Sequence, residues 1–150
     1  MASYFFACSY PLEPGSIVKP GNWGRMIKSY TPQAGNPWIL VREMAYEEIR
    51  ANEFSEKPSR FESIFLCSSL ESISDFVRSN SRQFDIVYEV ELVDPNAPSH
   101  EGCLNNPIIS GEDNYSTLLD KAREYWSASQ IQNPELVTLS SVRIIRELKI

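Results

Sequence analysis

Residues 61–77, FESIFLCSSLESISDFV, decide how the chain is to be read, because an apolar run of strand length passes there into a helical pattern. Ser63 to Cys67 is compact and apolar, whereas Leu70, Ile73 and Val77 recur at helical spacing, so the periodicity changes near Ser68. Ser68 followed by Glu71 has the pattern of a capping box and places the helix start at Ser68. Ordinary strand-helix packing accounts for such a unit, and a role beyond packing needs a second element beside it.

Toward the N-terminus, Ser3 to Cys8 is aromatic and apolar and predicts a strand tied into a sheet. Pro11, Pro14, Gly15, Pro20, Gly21 and Gly24 then punctuate a loop with a very short strand within Ser16 to Lys19. Trp23 and Arg25 fall in this loop, where an aromatic and a planar cation either line a ligand or cover the edge of the core. After a break from Thr31 to Pro37, the residues Leu40, Val41, Met44, Ala45 and Ile49 form one helical stripe, with charges opposite, as far as about Asn52. Pro58 makes Lys57 extended and sets Arg60 just before the strand.

Toward the C-terminus, Asp85 to Val93 alternates cleanly, with Ile86, Tyr88, Val90 and Leu92 on one face and Glu89 and Glu91 on the other. Alternate carboxylates on a solvated strand face usually only keep the sheet soluble, and glycoside hydrolysis needs two of them at a defined separation across a substrate. Asp94 to Asp113 reads as a long surface loop holding His100 and Cys103, which lack the further ligands of a metal site. Tyr115, Leu118, Leu119, Ala122, Tyr125 and Trp126 give an amphipathic helix of core type. Glu135 to Leu139 and Val142 to Leu148 alternate as closing strands. Glu135 shares its face with Val137 and Leu139, so this carboxylate either reaches water at a strand end or is a functional acid held in a cleft.

With 150 residues and 42% hydrophobic composition, the chain suits one α+β domain with a largely antiparallel sheet, spanning 1–150. A net charge of −6 argues against a general phosphate-binding surface. The three cysteines, Cys8, Cys67 and Cys103, have no framework spacing and fit a reducing cytosol. No stretch approaches the roughly twenty apolar residues of a membrane span, and the expected location is cytoplasmic.

Four segments in order resemble the ADP-ribosyltransferase superfamily. Tyr4 to Gly21, YFFACSYPLEPGSIVKPG, resembles the opening of bacterial rifampin ADP-ribosyltransferases, an aromatic-His-Gly-Thr segment followed by a Gly-rich one ending in Pro-Gly. Ser63 to Val77 is similar to the second motif of that group and of the poly(ADP-ribose) polymerases. Ile86 to Pro95, IVYEVELVDP, is similar to the strand that follows, and Asn133 to Ile145, NPELVTLSSVRII, resembles the segment carrying the catalytic glutamate.

The resemblance implies split antiparallel sheets with flanking helices and a cleft for NAD, as in small bacterial or phage members, including toxins. It implies mono-ADP-ribosyl transfer to an acceptor that is a protein, a nucleic acid or a small molecule. Glu135 then takes the position of the catalytic acid, Phe65 that of the aromatic beside the nicotinamide ring, and Ser68 that of a hydrogen-bonding support. Ala7 offers backbone to the carboxamide, flanked by Phe6 and Cys8. Phe6 stands where the family has histidine, and a phenyl ring makes no hydrogen bond to a ribose. Arg25 or Arg60 is the replacement that the sequence offers. Asn133 replaces the second glutamate of arginine-modifying members, which directs attention to other acceptors. The alternative is a module of the same fold that binds NAD, a nucleotide or a protein without catalysis.

Overall fold

The computed structural model describes residues 2–104, 107–127 and 134–150. Strand β1 (Tyr4–Cys8) and the two-residue β2 (Ile17–Val18) precede helix α1 (Asn22–Lys28), and a 3-10 turn (Pro32–Ala34) leads into α2 (Pro37–Glu53). Then come β3 (Ile64–Cys67), α3 (Leu70–Ser79), β4 (Ile86–Leu92), β5 (Ser99–Cys103), α4 (Tyr115–Ser127), β6 (Pro134–Thr138) and β7 (Val142–Leu148). The fold is thus α+β as expected, with four α-helices and a seven-stranded antiparallel sheet among the described residues. No helix among them is long and apolar enough to cross a membrane.

The strand order is β2-β7-β4-β1-β3-β6-β5. Its narrowest junction is β1 to β3, where the one register pair is Phe5 with Cys67, whereas β1 and β4 share five pairs and β3 and β6 four. Directly opposed residues of an antiparallel pair project from the same face. One face therefore carries Ile64, Leu66, Tyr88, Val90, Leu136, Val142 and Ile144, joined by Phe6 and Cys8. The segment around Leu12 and Val18 packs on this face, held where the Leu12 N–H donates to Tyr88 Oη (2.8 Å) and Gly15 N–H to the Ile144 carbonyl (2.7 Å).

The other face divides in two. Ala7, Cys67, Ile73 and Val87 form a small core under α3, while Ala45, Tyr46, Ile49, Ala122, Tyr125 and Trp126 fill the space between α2 and α4. Local chemistry fixes the helices on this side. Asn36 caps α2 by accepting from Trp38 N–H (3.0 Å), with Pro37 in the first turn, where its missing N–H costs nothing. Asn114 and Thr117 exchange side chain-backbone bonds at the entry to α4.

Four expectations are corrected. The cap of α3 is Ser69, which accepts from Ser72 N–H (3.0 Å), so the Ser68–Glu71 box does not form and Ser68 is an exposed residue one position earlier. Trp23 and Arg25 lie on α1 rather than in a loop; Gly21, whose φ of +108° suits glycine, is the residue before α1, and Gly24 rests so close to the Phe61 carbonyl that a Cβ would stand 1.8 Å from it. Residues 99–103 are an edge strand rather than loop, because their backbone pairs with β6 from Ser99–Thr138 to Cys103–Pro134. On α2, Met44 is 61% exposed whereas Glu43 is 1% exposed, so the buried stripe is rotated to admit a carboxylate.

Candidate functional site

Strands β3, β6 and β5 bring the site together by register. Cys67 and Gly102 both oppose Glu135, and Phe65 and His100 both oppose Val137, so these residues share the face that α2 and α4 cover. Gly102 matters because a Cβ there would lie 2.5 Å from Tyr125 Cζ. Its missing side chain lets the Tyr125 ring descend onto the sheet, where Tyr125 Oη donates to Glu135 Oε1 (2.9 Å).

Arg60 is the hub. Its Nη1 donates to Tyr125 Oη and to Glu135 Oε1, both at 2.6 Å, and its Nε and Nη2 donate to Glu43 at 2.8–3.1 Å. The guanidinium lies 4.7 Å from the centre of Phe65, 5.1 Å from Tyr125 and 5.5 Å from Tyr46, within cation-π range of all three. Tyr46 and Tyr125 stack on each other at 4.4 Å, and Trp23 meets Phe65 edge-on at 6.2 Å. Arg42 completes the cluster with one bond, Nη2 to Glu43 Oε1 at 3.1 Å. Glu43, Arg60 and Glu135 together carry one net negative charge, which Arg42 at their edge balances.

The protonation states follow from these neighbours. Burial pushes the Glu43 carboxyl up, and the Arg60 guanidinium, aided by Arg42, overcomes that and holds it below its ordinary range. Burial opposes the charge on Arg60, and Glu43, Tyr125 and Glu135 more than restore it. Burial raises the Tyr125 phenol, Arg60 resists and Glu135 adds to the rise, so the hydroxyl stays protonated and relays a hydrogen bond from Arg60 to Glu135. Burial, with Glu135 opposite, pushes the Cys67 thiol up to about 12. That thiol is an inert filler. His100 is held down to about 4, first by burial and then by Lys57, and as a neutral ring it donates from Nε2 to the Tyr125 carbonyl (3.2 Å).

A cleft of about 200 Å³ opens onto this cluster. Glu135, Arg60, Tyr125 and Tyr46 line its inner part, and Trp38, Ile39, Arg42 and Ile108 its rim. Glu135 is 7% exposed, and both of its described side-chain bonds fall on Oε1. A wider hollow of about 450 Å³ elsewhere is lined by Lys28, Glu47, Arg50 and Lys57, but Arg50 and Ser59 already bond Glu47 there.

The residues singled out in the sequence separate into two groups. Glu135 and Arg60 line the cleft, whereas Phe65 packs against the Arg60 guanidinium and Trp23 and is not among the residues lining it. Phe6 and Cys8 project from the opposite face of the sheet, and Ala7, though on the site's face, is buried under α3. Arg25 is exposed on α1 and donates to Asn22 Oδ1 (2.6 Å). Ser68 is exposed beyond the end of β3. Asn133 lies outside the described residues. Glu43, Arg42, Tyr46 and Tyr125 escaped notice because each sits in a helical repeat where a charge reads as a solvated face and an aromatic reads as core. The signal that was present is that Glu43, Tyr46 and Ile49 fall at i, i+3 and i+6 on one side of α2.

No curated protein matches the chain. The sequence model of the family described as protein of unknown function (DUF2441) matches residues 22–149, which include every member of the cluster from Trp23 to Glu135, and the chain belongs to that family.

Proposed function

We propose that the chain is a mono-ADP-ribosyltransferase that breaks the bond between nicotinamide and ribose in NAD and transfers ADP-ribose to an acceptor, with Glu135 as the carboxylate facing the reacting sugar carbon. The observation that carries this reading is the register of β3 and β6. Cys67, the last residue before the strand-helix turn, lies directly opposite Glu135, sixty-eight positions later, so the two segments that the reading requires are hydrogen-bonded neighbours.

Positive charge develops at the sugar carbon as nicotinamide departs, and a preorganised anion lowers that barrier. Arg60 and Tyr125 orient Glu135 through Oε1, and no described residue bonds Oε2. Tyr125 and Tyr46 are aromatics that line the cleft beside this carboxylate, and Phe65, two residues before Cys67, lies behind them against Arg60. The sheet is continuous over seven strands, and on this reading its single-pair junction between β1 and β3 corresponds to the division expected between two sheets. Ligand pockets commonly measure roughly 300–1,000 Å³, so a cleft of about 200 Å³ takes one half of a dinucleotide and leaves the other outside. Incubation with NAD labelled in the nicotinamide ring, with and without cell lysate as acceptor, tests the reading. Release that disappears in Glu135→Gln supports it, and absence of release under both conditions sinks it.

One observation favours a second reading, a non-catalytic nucleotide-binding module. Glu135 is already bonded by Arg60, and the phenyl ring of Phe6 projects from the far face of the sheet. For such a module, calorimetry shows NAD or ADP-ribose bound and recovered intact.

A further inference from the structure

Arg42 is the cation at the cleft whose donors the buried cluster does not use up. Arg60 donates to Glu43, Tyr125 and Glu135 at once and has little left for a ligand. Arg42 has one described bond, its Nε is buried without a hydrogen-bond partner among the described residues, and its side chain is 31% exposed while lining the cleft. A guanidinium carries five donors in a flat fork that matches phosphate. Leaving Nε buried and unpaired is unfavourable, so the side chain is not locked by its protein partners, and Nη1, which has no described bond, is the donor left for an arriving acceptor. Trp38, 38% exposed, lines the same cleft and supplies an indole for a flat partner, and Ile108 lines it too.

We infer that Arg42 binds the phosphate of a nucleotide whose ring packs at Trp38, and that it takes the place which the sequence suggested for Arg25 or Arg60. The inference deepens the proposed function and rests on it for the choice of nucleotides as ligands. Arg42 is on this account a specificity residue: it selects the phosphorylated form over the bare nucleoside. The cluster is neutral only when Arg42 is counted with Glu43, Arg60 and Glu135, so the contact works through the geometry of the fork at short range rather than through surplus charge.

The test is a titration of the full chain with AMP and with adenosine, followed by tryptophan fluorescence, in wild type, Arg42→Gln and Arg42→Lys. Wild type is expected to bind AMP more tightly than adenosine. Arg42→Gln should weaken AMP by about tenfold or more and leave adenosine within about twofold, while Arg42→Lys recovers part of the loss. A variant that had lost its fold would lose both ligands, so the adenosine arm separates damage from a lost contact. Equal binding of AMP and adenosine by wild type, binding of neither, or an unchanged AMP affinity in Arg42→Gln overturns the inference. Nicotinamide release scored in the same variants keeps the two claims apart. Turnover with an unchanged KM for NAD in Arg42→Gln defeats the inference alone, and selective AMP binding without turnover defeats the transferase reading alone.

Discussion

Replacing Arg60 with methionine removes the hub of the buried cluster while nearly preserving its stem. The change abolishes three donations to Glu43 and one each to Tyr125 and Glu135. Methionine keeps the apolar stem but lacks the guanidinium carbon that meets the rings of Tyr46, Phe65 and Tyr125, so a small cavity adds to the electrostatic loss. Glu43 is 1% exposed and keeps one bond, from Arg42. Removing one partner of a buried ion pair costs about 3–5 kcal/mol. A domain of this kind is stable by roughly 5–15 kcal/mol, so the variant still folds. At about 2 kcal/mol per molar urea, its midpoint falls by about 2 M.

The pH dependence makes the prediction specific. In wild type the Glu43 carboxyl is held below its ordinary value, so its contribution is present above the ordinary carboxylate pKa and is lost as pH falls through the folded value. Without Arg60, burial acts nearly unopposed and raises Glu43 above the ordinary value. The folded variant then binds a proton that the unfolded chain has released, and its stability rises as pH falls from 7.5 toward 5. Urea titrations at the two pH values should show the gap from wild type narrowing on acidification. The double variant Arg60→Met with Glu43→Leu should recover most of the loss. A cost below about 1 kcal/mol at pH 7.5, or a gap that widens toward pH 5, refutes the reasoning.

Three further outcomes follow from the same geometry. Gly102→Val drives the Tyr125 ring off the sheet and should destabilise by about 1–3 kcal/mol, with a change in near-ultraviolet circular dichroism from the displaced aromatics. Tyr125→Phe removes the hydroxyl that links Arg60 to Glu135 and should cost about 1.5–3 kcal/mol in urea denaturation, as for a bond to a charged group. His100, held down to about 4, stays neutral in the folded state while the unfolded chain takes up its proton near 6.5. Stability should therefore fall as pH drops from 6.5 toward 4, and His100→Gln should flatten that part of the profile in thermal unfolding.

The sequence revealed those parts whose signal is local. Period-two alternation located β4 and β7, and a change of period located the β3-α3 boundary to within one or two residues. Glu135 was legible because it shares a strand face with Val137 and Leu139, where a carboxylate is out of place. The partners of Glu135 were not legible, because their meaning depends on tertiary pairing. Glu43 looked like a solvent charge on α2 until Arg60, seventeen positions later, supplied a buried counter-charge. His100 looked like a loop residue because Ser99–Cys103, SHEGC, lacks the β-branched and aromatic residues that mark strands, and its pairing with β6 overrides that propensity. Ser68 and Ser69 are chemically alike, so the choice of helix cap between them was settled by backbone conformation alone.

The central claim is that Glu135 faces the reacting carbon of NAD, and a comparison of nicotinamide release by wild type and Glu135→Gln addresses it most directly. Glutamine keeps the shape and still accepts at Oε1 from Arg60, while the negative charge is removed. The account predicts release by wild type and a loss of about a hundredfold or more in Glu135→Gln, the scale expected when one electrostatic contact to the transition state is removed. Equal release by the two proteins, or none from wild type supplied with lysate, contradicts it.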